Sequence, residues 1–195
     1  MKNTSMIEVL LSPFSYLSIK HEQKRFVDWT LPIIVTLACM LLSAIAISPS
    51  RIGAPILGTL LSDMLSFTQN LPGFYIAALA AIATFNKISM DYVMPKPAPT
   101  LNVKEGKKSI KIEMTRRRFL CLMFAFLTAQ SIFLCIILML GKFIYIPTMQ
   151  DIQDNYRIAT TFAYMFVILF MFFQIVITTF WGIFYLGYKL HKPEE

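Results

Sequence analysis

The stretch from Lys87 to Arg118, KISMDYVMPKPAPTLNVKEGKKSIKIEMTRRR, is the long polar segment that interrupts the hydrophobic runs of this chain. It carries nine of the 18 Lys and Arg residues (Lys87, Lys96, Lys104, Lys107, Lys108, Lys111, Arg116, Arg117 and Arg118) against the three acids Asp91, Glu105 and Glu113. Moving each such charge across a bilayer costs about 3 kcal/mol, so loops rich in Lys and Arg stay on the cytoplasmic side. The remaining chain is therefore read as threaded to hold residues 89–118 inside.

Composition agrees with a membrane setting. Apolar residues make up 56% of the chain, 17 of its residues are Phe, and mean hydropathy is +0.62, more than a soluble core of this size needs. The net charge of +7 sits beside hydrophobic runs, where it is topogenic and lipid-facing, so no direct nucleic-acid binding is expected. Cys39, Cys121 and Cys135 all lie inside apolar runs and imply no disulfide framework.

These features predict an all-α membrane protein with four transmembrane helices. Residues 1–28 read as two short helices, Pro13 opening the second, too short to span and suited to lying on the inner leaflet or docking a soluble partner. Residues 29–48 form the first span, with Asp28 or Thr30 as N-cap and Pro32 in the first turn, and Ser48-Pro49-Ser50 ends it. In residues 49–70, Ile56, Leu57, Leu60, Leu61, Met64 and Leu65 share one helix face around Asp63. That predicts an external amphipathic helix on the outer interface, or one that dips in and returns. Residues 71–88 form the second span, 119–141 the third and 158–188 the fourth, with an external loop at 142–157 and a cytoplasmic tail at 189–195. The third and fourth spans, loaded with Phe, Leu, Ile and Met, read as lipid-exposed.

Gly73, Ala77 and Ala81 recur every four residues in the second span, a row that lets helix backbones approach closely within a protomer or around a homo-oligomer axis. Gln130 and Gln174 lie nearest the middle of their helices and suit an interhelical hydrogen bond. Lys24, Arg25, Arg116, Arg117 and Arg118 flank spans and are expected to set topology and meet lipid headgroups.

Inside the central loop, Pro95, Pro97 and Pro99 make a stiff exit, and Leu101 to Met114 alternates around Glu105-Gly106-Lys107. This predicts a cytoplasmic β-hairpin, with a flexible basic linker as the alternative. Leu101, Val103, Ile110, Ile112 and Met114 would share one face and Lys111 the other. A lone hairpin is marginal in water, so it is expected to dock a partner protein through these residues, Lys111 included.

His21 and His191 are the two histidines and form no metal-ligand spacing, and no nucleophile elbow or phosphate loop is present, so neither enzyme chemistry nor a cofactor is expected. Two functions compete: a scaffold and sensor that recruits a cytoplasmic protein, or an oligomeric channel or pore, which would want a polar stripe along a span.

Four spans with cytoplasmic termini, a short hydrophobic N-terminal segment, a basic second loop and a long Phe-rich last helix resemble the small membrane subunit of the Kiwa bacterial anti-phage defence system. The resemblance covers most of the chain. It implies an inner-membrane homo-oligomer, a tetramer, that senses infection and works with a cytoplasmic effector that binds DNA. It has no compact motif, so no functional residue is carried over.

Counted by side on this four-span reading, fifteen Lys and Arg lie inside and three (Arg51, Lys142 and Arg157) outside. Reporters placed at Glu195 and near Lys107 should therefore report cytoplasm and one near Arg157 the exterior; any other pattern overturns the four-span topology.

Overall fold

The computed structural model describes residues 6–46, 54–84, 90–94, 98–105, 108–148 and 154–186. Its centre is α6 (Arg116–Leu140), opened by Thr115, whose extended backbone turns its Oγ1 to accept from the Arg118 N–H at 3.3 Å. Phe119, Leu120, Met123, Phe124, Phe126, Leu127, Leu134 and Leu138 are buried along it, a stripe too wide for one neighbour. It is packed by α4 (Ala54–Thr68), α5 (Leu71–Thr84), α8 (Asp154–Phe184) and a 3-10 segment, Ser12–Ser18, that follows α1 (Met6–Leu11). The third hydrophobic run thus supplies the core of the bundle along its buried stripe, while Ile132, Phe133, Ile136, Met139 and Leu140 stay exposed, so the expectation of a lipid-facing helix holds for one side of it only. Phe-rich composition cannot separate the two, because a lipid tail and a neighbouring helix are equally apolar.

The first long helix begins earlier than the sequence suggests. Helix α2 (Glu22–Arg25) runs through a π-turn, Phe26–Thr30, into α3 (Leu31–Ala46). Asp28 and Thr30 are therefore not N-caps, and Pro32 is internal. In α-helical register the N–H of residue 32 would serve the carbonyl of Asp28, and proline has none. The backbone widens there into a π-turn, in which the Leu31 N–H bonds the Phe26 carbonyl, and the Asp28 carbonyl is left for a side chain. Helix α3 then packs along α8.

The stretch expected on the outer surface is instead packed along the bundle. Its helix face is close to the one read: Leu57, Leu61 and Met64 are buried, Leu60 and Leu65 half-buried and Asp63 exposed, but Ile56 falls on the exposed side. That face lies on the far half of α6, with Leu61 beside Gly141. Helix α5 continues down the near half: the Tyr75 and Phe124 rings lie 6.1 Å apart and Arg117 reaches the Ile82 carbonyl. Helices α4 and α5 therefore form one broken rod antiparallel to α6. The break falls at Gln69 and Asn70, where Pro72 offers no N–H to the Thr68 carbonyl and sits well in the first turn of a new helix.

Among the described residues three helices are long and apolar enough to cross a membrane: Gln23–Ile45, Arg116–Ile144 and Tyr156–Phe184. Their outward sides carry Ile34, Leu37, Leu41, Phe180 and Ile183, as a lipid-facing surface requires. The stop at Ser48-Pro49-Ser50, the end of the second span at 85–88, the prolines at 95 and 97, and the tail at 189–195 lie outside the described residues.

Close approach in the bundle falls to glycines other than Gly73. Helix α6 runs on through a π-turn, Gly141–Tyr145, into α7 (Ile146–Thr148), and at Gly141 the Tyr164 ring of α8 fills the space a Cβ would need. Tyr164 there donates to the Ile137 carbonyl at 3.0 Å. On the other side of the contact, Gly182 admits Met123. Gly141→Ala should displace Tyr164 and lower stability by about 1–3 kcal/mol, read as a lower melting temperature in detergent, whereas Gly73→Ala, with nothing within 4 Å of the added methyl, should be neutral or better.

Candidate functional site: a buried polar network beside a basic cavity

Four parts of the chain meet in one polar cluster. Lys24 lies one turn before Asp28, and the two pair at 2.6 Å with side chains 4% and 0% exposed. Tyr16 of the 3-10 segment donates its hydroxyl to Asp28 at 3.1 Å, and the Lys24 ammonium sits 4.1 Å above the Tyr16 ring. Tyr16 is itself fixed by stacking on Phe126, 5.1 Å between centroids. Burial, and next the charge of Asp28, hold the Tyr16 phenol well above its ordinary pKa. It therefore stays a donor at neutral pH; what it adds to stability is present below about pH 10 and is lost only as pH rises through the raised value.

The backbone of Asp28 is held as well. Gln174 of α8 donates its Nε2 to the Asp28 carbonyl at 2.8 Å, filling the place that Pro32 leaves empty, and its Oε1 accepts from Gln130 Nε2 at 2.6 Å. The interhelical glutamine bond expected from the sequence is therefore formed. Gln130 Oε1 has no partner among the described residues. What sequence reading missed is the acid at the end of this chain of bonds. Its visible signal is the i, i+4 pair Lys24 and Asp28 followed by proline at 32, a charged pair leading into an apolar run.

The other basic residues separate into distinct roles. Lys24 is buried in the network at the wall of the adjoining basic cavity, while Arg25 and Arg118 are exposed and Arg116 is half-buried. Arg117 turns inward: its Nε and Nη2 grip Asp91 at 2.7 and 3.0 Å and its Nη1 donates to the Ile82 carbonyl at 2.8 Å. It clamps the end of α5 to the start of α6, which corrects its assignment to lipid. The Arg117 hydrogen bonds hold the Asp91 carboxyl below its usual pKa, so the clamp persists above about pH 4 and is lost as pH falls through that lowered value.

The hairpin forms as read: β1 (Thr100–Glu105) pairs antiparallel with β2 (Lys108–Glu113), from Thr100 against Glu113 to Glu105 against Lys108. Register puts Leu101 beside Ile112 and Val103 beside Ile110; the turn at Gly106 and Lys107 and the side chains of Val103 and Ile110 lie outside what is described. Its base is spent within the chain. Leu101 and Met114 are buried, Lys20 and Thr100 exchange backbone bonds of 3.0 and 3.3 Å, and the Met94 N–H bonds the Met114 carbonyl. Ile112 is half-buried and Lys111 and Glu113 are exposed. The expected docking set therefore loses Leu101 and Met114 to internal packing.

Where the N-terminal segment, the start of the first helix and the hairpin base meet, a cavity of about 1010 Å³ remains. Lys20, Arg25 and Lys111, with the buried Lys24 at its wall, line it together with His21, Trp29 and Ile33. Among the described residues no group of three metal-ligating side chains occurs. Gly73, Ala77 and Ala81 all face away from α6, to which α5 presents Tyr75, Ala78, Leu79 and Ile82.

No family model, curated protein or solved structure matches the chain.

Removing one member of a buried ion pair strands the other charge, at a cost of about 3–5 kcal/mol. Lys24→Met should therefore lower stability in detergent by that amount, and Lys24→Met with Asp28→Leu by less. If the single variant is no worse than the double, the pair is not desolvated and the network does not organise the site.

Proposed function

We propose that this chain is a non-enzymatic inner-membrane scaffold and sensor that recruits a cytoplasmic protein through its hairpin. The observation that carries this is an anchored hairpin with open edges. Its base is tied to Lys20 and Met94, yet among the described residues no further strand pairs along Leu101–Glu105 or Lys108–Glu113. An unpaired edge held rigidly is a template for strand addition.

Four crossings with both termini in the cytoplasm follow if α3, the broken rod of α4 and α5, α6 and α8 each span. The antiparallel run of that rod along α6 and the bias of fifteen against three basic residues support this. The exposed row of Gly73, Ala77 and Ala81 supports a homo-oligomer. With the resemblance to the Kiwa membrane subunit, the reading becomes a bacterial anti-phage defence protein, tetrameric, whose partner is a DNA-binding effector, the membrane protein itself touching lipid and protein but no nucleic acid.

One observation favours a pore instead. Gln69 and Asn70, at the break in the rod, are exposed. They lie near the level of Gln130, since Phe67 meets Phe172 at 5.5 Å beside Gln174. In an oligomer these amides could line a path. Ion flux from liposomes holding the purified protein alone supports the pore; its absence supports the scaffold.

Proline at Lys111 would take a donor from β2 and fix φ, while alanine would remove only charge. Lys111→Pro should abolish co-purification of the cytoplasmic partner and phage protection with normal membrane insertion, and Lys111→Ala should be mild. If both variants behave alike, the loop acts through charge or reach and the docking hairpin is wrong.

A further inference from the structure

The cavity beside the hairpin base gathers cations from two distant places in the chain. Lys20 and Arg25 come from the N-terminal side and Lys111 from β2, brought together because Lys20 pairs with Thr100. All three are exposed, and no acid lines the cavity among the described residues. The nearby carboxylate of Asp28 is turned away into its pair with Lys24. Such a cluster attracts a polyoxyanion, and lysine and arginine donors match phosphate oxygens.

The walls say what the anion is attached to. Trp29, 45% exposed, stands at the cavity, an amphipathic ring of the kind that settles at the level of lipid headgroups. Ile33 continues the wall, and beyond it Ile34, Leu37 and Leu41 are exposed along α3. Arg25, an interfacial aromatic and an apolar track follow one another along a single helix, with Lys20 and Lys111 brought beside its start. A free phosphate would use only the first of these, whereas a phospholipid uses all three.

We propose that this cavity binds the phosphate headgroup of an anionic phospholipid, with the acyl chains lying along α3. Because Lys111 belongs to the hairpin and Arg25 to the first helix, the bound headgroup joins the two and steadies the hairpin against the bundle. This rests on the cavity and not on any cytoplasmic partner, so it stands or falls separately from the recruitment reading.

The test uses the full chain in phosphatidylcholine nanodiscs with and without phosphatidylglycerol. Phosphatidylglycerol should raise the melting temperature and remain bound in native mass spectrometry. Arg25→Gln and Lys111→Gln should each weaken retention about fivefold, while Arg118→Gln, which removes the same charge outside the cavity, should leave it within about twofold. Equal loss in all three variants would mean general attraction to an anionic surface and overturn the site. Inorganic phosphate or glycerol phosphate shifting the melting temperature as far as the lipid does would make it a free-anion site and overturn the lipid. A readout on the unaltered chain guards against misfolded variants: brominated phosphatidylglycerol should quench Trp29 fluorescence, assigned by Trp29→Phe, more than brominated phosphatidylcholine does. Equal quenching by the two lipids defeats the proposal.

Discussion

A lysine and a carboxylate buried against each other at the foot of the first helix hold this bundle to one arrangement. Neither Lys24 nor Asp28 reaches solvent, so each must find its partners inside, and those partners lie on other elements. Tyr16 comes from the N-terminal segment and Gln174 from α8, with Gln130 of α6 behind it. In an apolar surround, a register that separated these groups would leave charges unpaired, so the network selects a packing as well as stabilising it. Pro32 belongs to the same device, because the carbonyl it cannot serve is the one Gln174 takes.

Around that anchor, apolar packing divides in a way that composition hides. Hydrophobic burial cannot drive helices together in lipid, so fit decides which helix becomes central. Helix α6 takes the centre because Gly141 and Gly182 let α6 and α8 close on each other and because α4, α5 and the 3-10 segment each find a face of it. The small-residue row of α5, which looks made for such contact, is left on the outside.

The polar end of the molecule is assembled from short pieces that cooperate. Arg117 clamps α5 to α6, Lys20 extends the edge of β1 at Thr100, and Met94 pairs beyond β2. Together they turn a hairpin that would be marginal alone into a fixed projection. The same joints leave the basic cavity between hairpin and first helix, so the open hairpin edge and the cation cluster share one support.

Charge order and hydrophobic runs were enough to read a helical membrane protein, the long last helix, the hairpin and the glutamine pair. These follow from local periodicity and from the cost of moving Lys and Arg across a bilayer. The sequence could not show that Ala54–Thr68 lies along α6, that Phe119, Phe124, Leu127 and Leu134 face protein while Phe133 and Ile136 do not, or that Arg117 points inward. An apolar side chain reads the same against lipid as against protein, and a basic one the same against a headgroup as against Asp91. Only the tertiary structure, by setting which surfaces meet, decided between them, and it alone revealed Asp28 as a buried charge held by the N-terminal segment, its own helix and α8.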